Sequence, residues 1–277
     1  MNSIKNSMYR MPVFFGPATG PRRGPDGEPF DGTKGFDTMT YSVTFQSDPD
    51  SLRTFLPPRF SLYGEPIVNV YAKYMKNIEW LGGRGYNMLG VNIHAVFEGD
   101  KDVVPGTLLL VLWENMAEPI LTGREELGYS KIYCEIPDPM TVGGTTHATA
   151  SWDGFRFLDM TFSRLRKPTD TEEAAVSARN AGLQGNLHYK YIPKTGEWGK
   201  ADVEQAILGP KANPEQKVLQ TWSADGSLAF NRTTWRDMPT QYMIVNALAD
   251  LEIKTILGAR VVQTVGSKDL SDMKPLI

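Results

Sequence analysis

Met88-Leu89-Gly90-Val91-Asn92-Ile93-His94-Ala95-Val96-Phe97 and Thr107-Leu108-Leu109-Leu110-Val111-Leu112-Trp113 are two apolar runs separated by Glu98-Gly99-Asp100-Lys101-Asp102-Val103-Val104-Pro105-Gly106. Runs this short, rich in Val, Ile and aromatic residues and bounded by Gly, Asp and Pro, read as strands. The same pattern extends in both directions. Upstream, Tyr41, Val43 and Phe45 alternate with polar neighbours, and Ile67 to Lys73 forms another candidate strand. Downstream candidates are Lys131 to Ile136, Thr145 to Ser151, Phe155 to Phe162, Leu187 to Ile192, Gln216 to Trp222 and Ile253 to Thr264. Many short strands with regular turn signals predict an α+β, β-rich chain: a curled antiparallel sheet or partly closed β-barrel with short flanking helices. No regular alternation of strand with long helix supports a doubly wound parallel sheet.

The helices announce themselves at their starts. Asp48 is an N-cap candidate, Pro49 suits the first helical position, Leu52, Phe55 and Leu56 share a face, and Pro57-Pro58 stops the helix. Thr169 to Asn180 has a cap, early acids and alanines; a short helix outside the sheet and a solvated connector both fit it. Pro239 to Leu248 reads as a buried helical turn. The length of 277 residues suits one domain spanning 1–277, with 1–39 as an extended arm dense in Gly and Pro. Phe14, Phe15, Phe30 and Phe36 would anchor that arm on the domain or on a neighbouring subunit.

Charge narrows the partners. With 29 basic and 32 acidic residues, a net charge of -3 and no basic run, the chain lacks the footprint of a nucleic-acid or membrane-surface binder. The single cysteine, Cys134, cannot form an intramolecular disulfide, which favours a reducing, cytoplasmic setting. The apolar stretch Met11 to Phe15 is interrupted by Pro12 and is too short for a signal sequence. Nowhere do about 18 apolar residues run together as a membrane span would require.

Common catalytic signatures are missing: His-Glu-x-x-His, Cys-x-x-Cys, Gly-x-Ser-x-Gly and the phosphate loop with its lysine. Gly82-Gly83-Arg84-Gly85 is followed by no helix pattern and reads as a turn or a substrate-lining loop. His94, His147 and His188 are far apart in strand-like segments, where structural roles are commoner than metal ligation. No metal and no cofactor is therefore expected. Glu125-Glu126 and Glu172-Glu173 read as solvated or salt-bridged pairs, and Cys134 as a small core residue.

One stretch stands apart: Glu118-Pro119-Ile120-Leu121-Thr122-Gly123-Arg124-Glu125-Glu126-Leu127-Gly128-Tyr129-Ser130-Lys131-Ile132-Tyr133, a turn-rich segment entering a strand at a lysine. It resembles the acetoacetate decarboxylase-like superfamily, whose signature is Glu-Pro, then Gly-Arg-Glu, then an aromatic residue, proline and a Schiff-base lysine. The arm from Met11-Pro12 to Gly20-Pro21-Arg22, the loop Trp80 to Asn87 and Trp235-Arg236-Asp237-Met238-Pro239-Thr240 also look like family segments. The resemblance implies a curled antiparallel sheet, a homo-oligomer and Lys131 as the imine-forming residue.

An amine must be neutral to attack a ketone, and an unperturbed lysine, with a pKa of about 10.4, leaves only about one free amine in 2,500 near pH 7. Burial or a neighbouring cation supplies the remedy. In the decarboxylases resembled here a second lysine follows the nucleophile; this chain has Ile132 there, leaving burial beside Tyr129, Tyr86 and Trp80, or a remote cation such as Arg124. The family loop reads Tyr-Asn-Glu, whereas this chain has Tyr86-Asn87-Met88, and methionine relays no proton. Thr38 and Tyr71 align with a substrate-facing arginine and a further glutamate of the family, and Ser130 replaces its proline.

These departures argue against efficient acetoacetate decarboxylation. They favour a lyase of the aldolase-dehydratase or hydratase kind acting through Lys131 on pyruvate or another small, partly apolar 2-oxo acid, with an aldehyde as an optional co-substrate. Tyr86, Asn87, Met88, Tyr129, Arg124, Tyr71, Thr38 and Tyr242 are the expected substrate-binding residues. A decarboxylase of another β-keto acid, and a ligand-binding or non-imine member on the same scaffold, are the competing readings.

Overall fold

A computed structural model describes residues 10–12, 36–211, 216–267 and 270–277. Phe14, Phe15 and Phe30 of the expected arm lie outside the described residues. Among the described residues, fourteen strands form one mixed sheet. In chain order these are β1 (Asp37–Gln46), β2 (Phe60–Leu62), β3 (Ile67–Ile78), β4 (Arg84–Glu98), β5 (Val103–Glu114), β6 (Lys131–Tyr133) and β7 (Met140–Val142). They continue with β8 (Thr145–Trp152), β9 (Phe155–Arg166), β10 (Gly185–Pro193), β11 (Ala201–Pro210), β12 (Lys217–Phe230), β13 (Thr255–Val265) and β14 (Lys274–Pro275). The order across the sheet is β14-β11-β10-β5-β4-β3-β1-β13-β12-β9-β8-β7, with β2 on β4 and β6 on β5.

The two apolar runs are the antiparallel pair β4 and β5, with Gly90 opposite Leu112 and Met88 opposite Glu114. Two pairings depart from the antiparallel expectation: β10 and β6 both lie parallel to β5, on successive parts of its free edge. Each is reached by a long connection, as parallel pairing requires. β1 already begins at Asp37, so the sheet takes over the last residues assigned to the arm.

Among the described residues, four short α-helices flank the sheet: α1 (Pro49–Arg53), α2 (Ala117–Thr122), α3 (Asp170–Arg179) and α4 (Tyr242–Ala249). The Asp48 carboxylate accepts from the Ser51 N–H at 2.9 Å and caps α1. Thr169 and Glu172 close a reciprocal capping box on α3, which settles that segment as a helix. The strand alternation divides the sheet into two faces. Val43, Tyr74, Leu89, Trp113 and Phe162 belong to the main apolar core, and Trp113 Nε1 donates to Gln241 Oε1 at 2.7 Å just before α4. Cys134 is fully buried in this core. The opposite face carries the polar residues described next.

Candidate active site

Three registers place a polar row across the sheet. Ser42 faces Tyr71, Tyr71 faces Gly90, Gly90 faces Leu112 and Leu112 faces Lys131. The row two residues along runs Thr40, Lys73, Met88, Glu114. A third runs Thr38, Met75, Tyr86. All these residues share one face because side chains two apart along a strand point the same way.

Lys131 opens β6 and is buried, as is Glu114 at the end of β5. Lys131 Nζ lies 2.9 Å from Glu114 Oε1 and donates to the Pro119 carbonyl at 3.0 Å. Apart from Lys131, neither oxygen of the Glu114 carboxylate has a partner among the described residues. Burial pushes the Glu114 carboxyl above its usual range, against the opposing pull of Lys131. The pair is therefore an ion contact held in low dielectric, where the proton's position is sensitive to small changes.

The segment before Lys131 is helical rather than a plain turn. α2 runs into a single π-helical stretch, Gly123–Leu127, that ends on Gly128 at φ 79. Such wide turns recur at functional sites. Its first residue is spatially constrained: a Cβ on Gly123 would stand 2.4 Å from Lys131 Cδ and 2.7 Å from Nζ. The glycine of Gly-Arg-Glu is thus the slot through which the lysine passes. Arg124 Nη1 donates to the Lys131 carbonyl at 2.8 Å, so it fixes the strand's backbone rather than facing the amine. Arg10 reaches the same segment, meeting Thr122 and Glu126.

Aromatic groups wall the lysine. Nζ sits 5.1 Å from the Tyr129 ring centroid, and Tyr129 stacks on His188 at 4.0 Å. The Tyr71 ring lies over Gly90, where a Cβ would come within 2.3 Å of it. Burial, then Glu114, raises the phenol of Tyr129 to about 12. Burial also raises Tyr71 and Tyr86, with Tyr129 and Glu114 adding to both. All three therefore stand as neutral phenols within electrostatic reach of Glu114. Tyr86, Met75 and Ile78 form an apolar corner with Trp80, Met88 and Met116 packed on it.

Of the expected residues, Lys131, Tyr71, Tyr86, Met88, Tyr129 and Thr38 are gathered on this face, and Arg124 meets only the lysine's backbone. Asn87 is not: alternation turns it to the other face, where its Nδ2 donates to the Ile136 carbonyl at 2.9 Å and Asp138 Oδ1 at 3.1 Å. Tyr242 opens α4 and packs on the main core instead. Ile132, in place of the family's second lysine, also packs on that core. Three residues at this face went unread in sequence. Glu114 ends an apolar strand, Lys73 ends a strand candidate, and His188 was one of three scattered histidines. Period-2 alternation from Tyr71 places Lys73; Glu114 needs the register of β4 against β5 as well, and nothing local marks His188. Among the described residues no group of three or more His, Cys, Asp or Glu could hold a metal ion, and no helix is long and apolar enough to cross a membrane.

A large mixed sheet presenting a buried, acid-paired lysine between phenols defines the class of architecture. The chain belongs to the acetoacetate decarboxylase family, whose model matches residues 10–272. Among solved structures, acetoacetate decarboxylase from Legionella pneumophila matches with a TM-score of 0.67 and 17% identity over 95% of this chain and 97% of that one. The enduracididine biosynthesis enzyme MppR complexed with pyruvate matches at 0.61 and 19% over 92% and 95%. Complexed with the condensation product of pyruvate and imidazole 4-carboxaldehyde, it matches at 0.60 and 18% over 87% of each chain. No curated protein matches the chain.

Proposed function

We propose that this protein is a lyase that binds pyruvate or another small 2-oxo acid as an imine on Lys131, in reactions of the aldolase-dehydratase or hydratase kind. The observation that carries the reading is the placement of Nζ, buried and 2.9 Å from a carboxylate oxygen in a slot cleared by Gly123. The complexes of MppR support the substrate class, because pyruvate and its condensation product with an aldehyde are both named for that enzyme.

The chemistry balances without any outside base. Glu114 accepts one proton from the ammonium, and the freed Nζ attacks the C2 carbonyl. A second Nζ proton passes to the carbonyl oxygen, giving a neutral carbinolamine. Glu114 then returns its proton to that hydroxyl, which leaves as water, and an iminium remains beside the restored carboxylate. An ion pair exists before and after, so imine formation creates no new isolated charge at Lys131 and Glu114. The neutral phenols of Tyr129, Tyr71 and Tyr86 can donate to the oxygen in transit. The apolar corner at Met75, Met88 and Trp80 suits the non-polar part of a substrate.

Incubation with pyruvate, and separately with acetoacetate, followed by borohydride and peptide mass spectrometry, tests the proposal. A reduced adduct on Lys131 is expected with pyruvate. Absence of an adduct with either acid overturns it. Carbon dioxide release with acetoacetate would redirect it to decarboxylation, whereas enone absorbance on adding an aldehyde supports condensation with dehydration.

A further inference from the structure

The recess holds a second lysine that the imine chemistry does not use. Lys73 lies on the site face of β3, between Thr40 on β1 and Met88 on β4, neither of which can neutralise it. Its Nζ is 5.2 Å from the centroid of the Tyr71 ring. This repeats the arrangement of Lys131 over Tyr129, and Tyr71 and Tyr129 are near enough to perturb one another. Lys131 has Glu114 as its counter-charge. Lys73 has no such partner among the described residues: burial alone moves it, downward, and no acidic group acts on it.

We infer that Lys73 is the specificity-determining cation of the site, pairing with the carboxylate of a 2-oxo monocarboxylate whose keto carbon is held at Lys131. The inference rests on the imine reading above. Charge complementarity supports it: Lys131 and Glu114 cancel, the half-buried Lys73 has no acidic partner among the described residues, and a monocarboxylate supplies the negative charge it lacks. Geometry supports it as well. Lys73 and Lys131 are three strand spacings apart across the sheet and one side-chain repeat apart along it, which places their backbones about 16 Å apart. Both side chains rise from the same face, Lys73 toward the Tyr71 ring and Lys131 beside the Tyr129 ring, and a span of this size matches a small acid reaching from one lysine to the other. The residue also supplies, from β3, a cation that Ile132 does not supply from β6.

The test compares pyruvate with methyl pyruvate, which has the same keto group without the charge, in the full-length protein and in Lys73→Met and Lys73→Arg. Borohydride trapping on Lys131 is read as a function of ligand concentration. In Lys73→Met the half-saturating pyruvate concentration is expected to rise by roughly ten- to a hundredfold, the loss typical of a hydrogen bond to a charged group. Methyl pyruvate is expected to stay within about threefold of its starting value, and Lys73→Arg to recover most of the pyruvate affinity. Equal losses for both ligands, or no loss for either, overturn the inference. So does an adduct found on Lys73 itself. Should the unmodified protein form no adduct at all, the imine reading fails alone. Calorimetric titration of pyruvate into the protein and into Lys73→Met then decides the carboxylate site: binding weakened in the variant supports it, and unchanged or absent binding overturns it.

Discussion

At the scale of single residues, the contact between Glu114 and Lys131 sets what the site can do. Met88 stands where the family pattern has a glutamate, yet Glu114 lies directly opposite Met88 on the next strand and reaches the same amine. If it acts as the proton acceptor, Glu114→Gln should slow imine formation with pyruvate at neutral pH by about a hundredfold or more, the usual range for a positioned base. Part of the loss should return as pH rises and solvent takes over the proton, a recovery that a merely packing role would not produce. Trapping rates measured from pH 6 to 10 distinguish these outcomes; a flat, undiminished profile would remove Glu114 from the chemistry. The change also leaves the lysine's charge unmatched in the recess, so a stability loss of about 3–5 kcal/mol is expected from the broken pair.

At the scale of elements, the π-helical stretch between α2 and β6 is a mould for one side chain. Gly123→Ala forces its methyl group against three atoms of Lys131, the nearest 2.4 Å away. Strand β6 cannot retreat, because Lys131 is registered against Leu112 and Arg124 holds its carbonyl. The lysine must leave the slot. Gly123→Ala should therefore fold, with an unchanged far-ultraviolet spectrum, yet lose trapping by at least about tenfold; normal trapping would show that the slot is not needed. This element was hidden in the sequence. Pro119 and two glycines within a dozen residues read as turns, since a helix this short has no room to display a 3.6-residue period. By contrast, α1 was legible from Asp48, because capping chemistry is local, whereas Thr169 left α3 open between a short helix and a connector. Strands were legible wherever one face was apolar. Those that escaped notice, β2, β7, β11 and β14, include three that are only two or three residues long. Pairing order and the parallel joins of β10 and β6 to β5 depend on long-range contacts that no local window contains.

At the scale of the whole molecule, the sheet encloses a histidine at a cost that shows itself in acid. His188 on β10 is 1% exposed, and neither ring nitrogen has a partner among the described residues. It is held by stacking on Tyr129. Burial first, and then the charge of Lys131, lowers its pKa from 6.5 to about 3. The folded protein keeps the ring neutral while the unfolded chain protonates it below pH 6.5. Unfolding is therefore favoured progressively as pH falls from about 6.5 to about 3, by about 1.4 kcal/mol per unit. Glu114 contributes with the opposite sign: its raised carboxyl favours the folded state at low pH and loses that contribution as pH rises through its folded value. Replacing only the histidine separates the two. In His188→Phe the ring stacking can persist, no polar atom is buried unpaired, and stability at pH 7 should be unchanged or higher. Between pH 7 and pH 4 the unmodified protein should lose about 3 kcal/mol more than the variant by urea unfolding, because the Glu114 contribution is common to both and cancels. Equal losses in the two proteins would mean that the folded state admits a protonated His188, and with it a polar connection through this end of the recess.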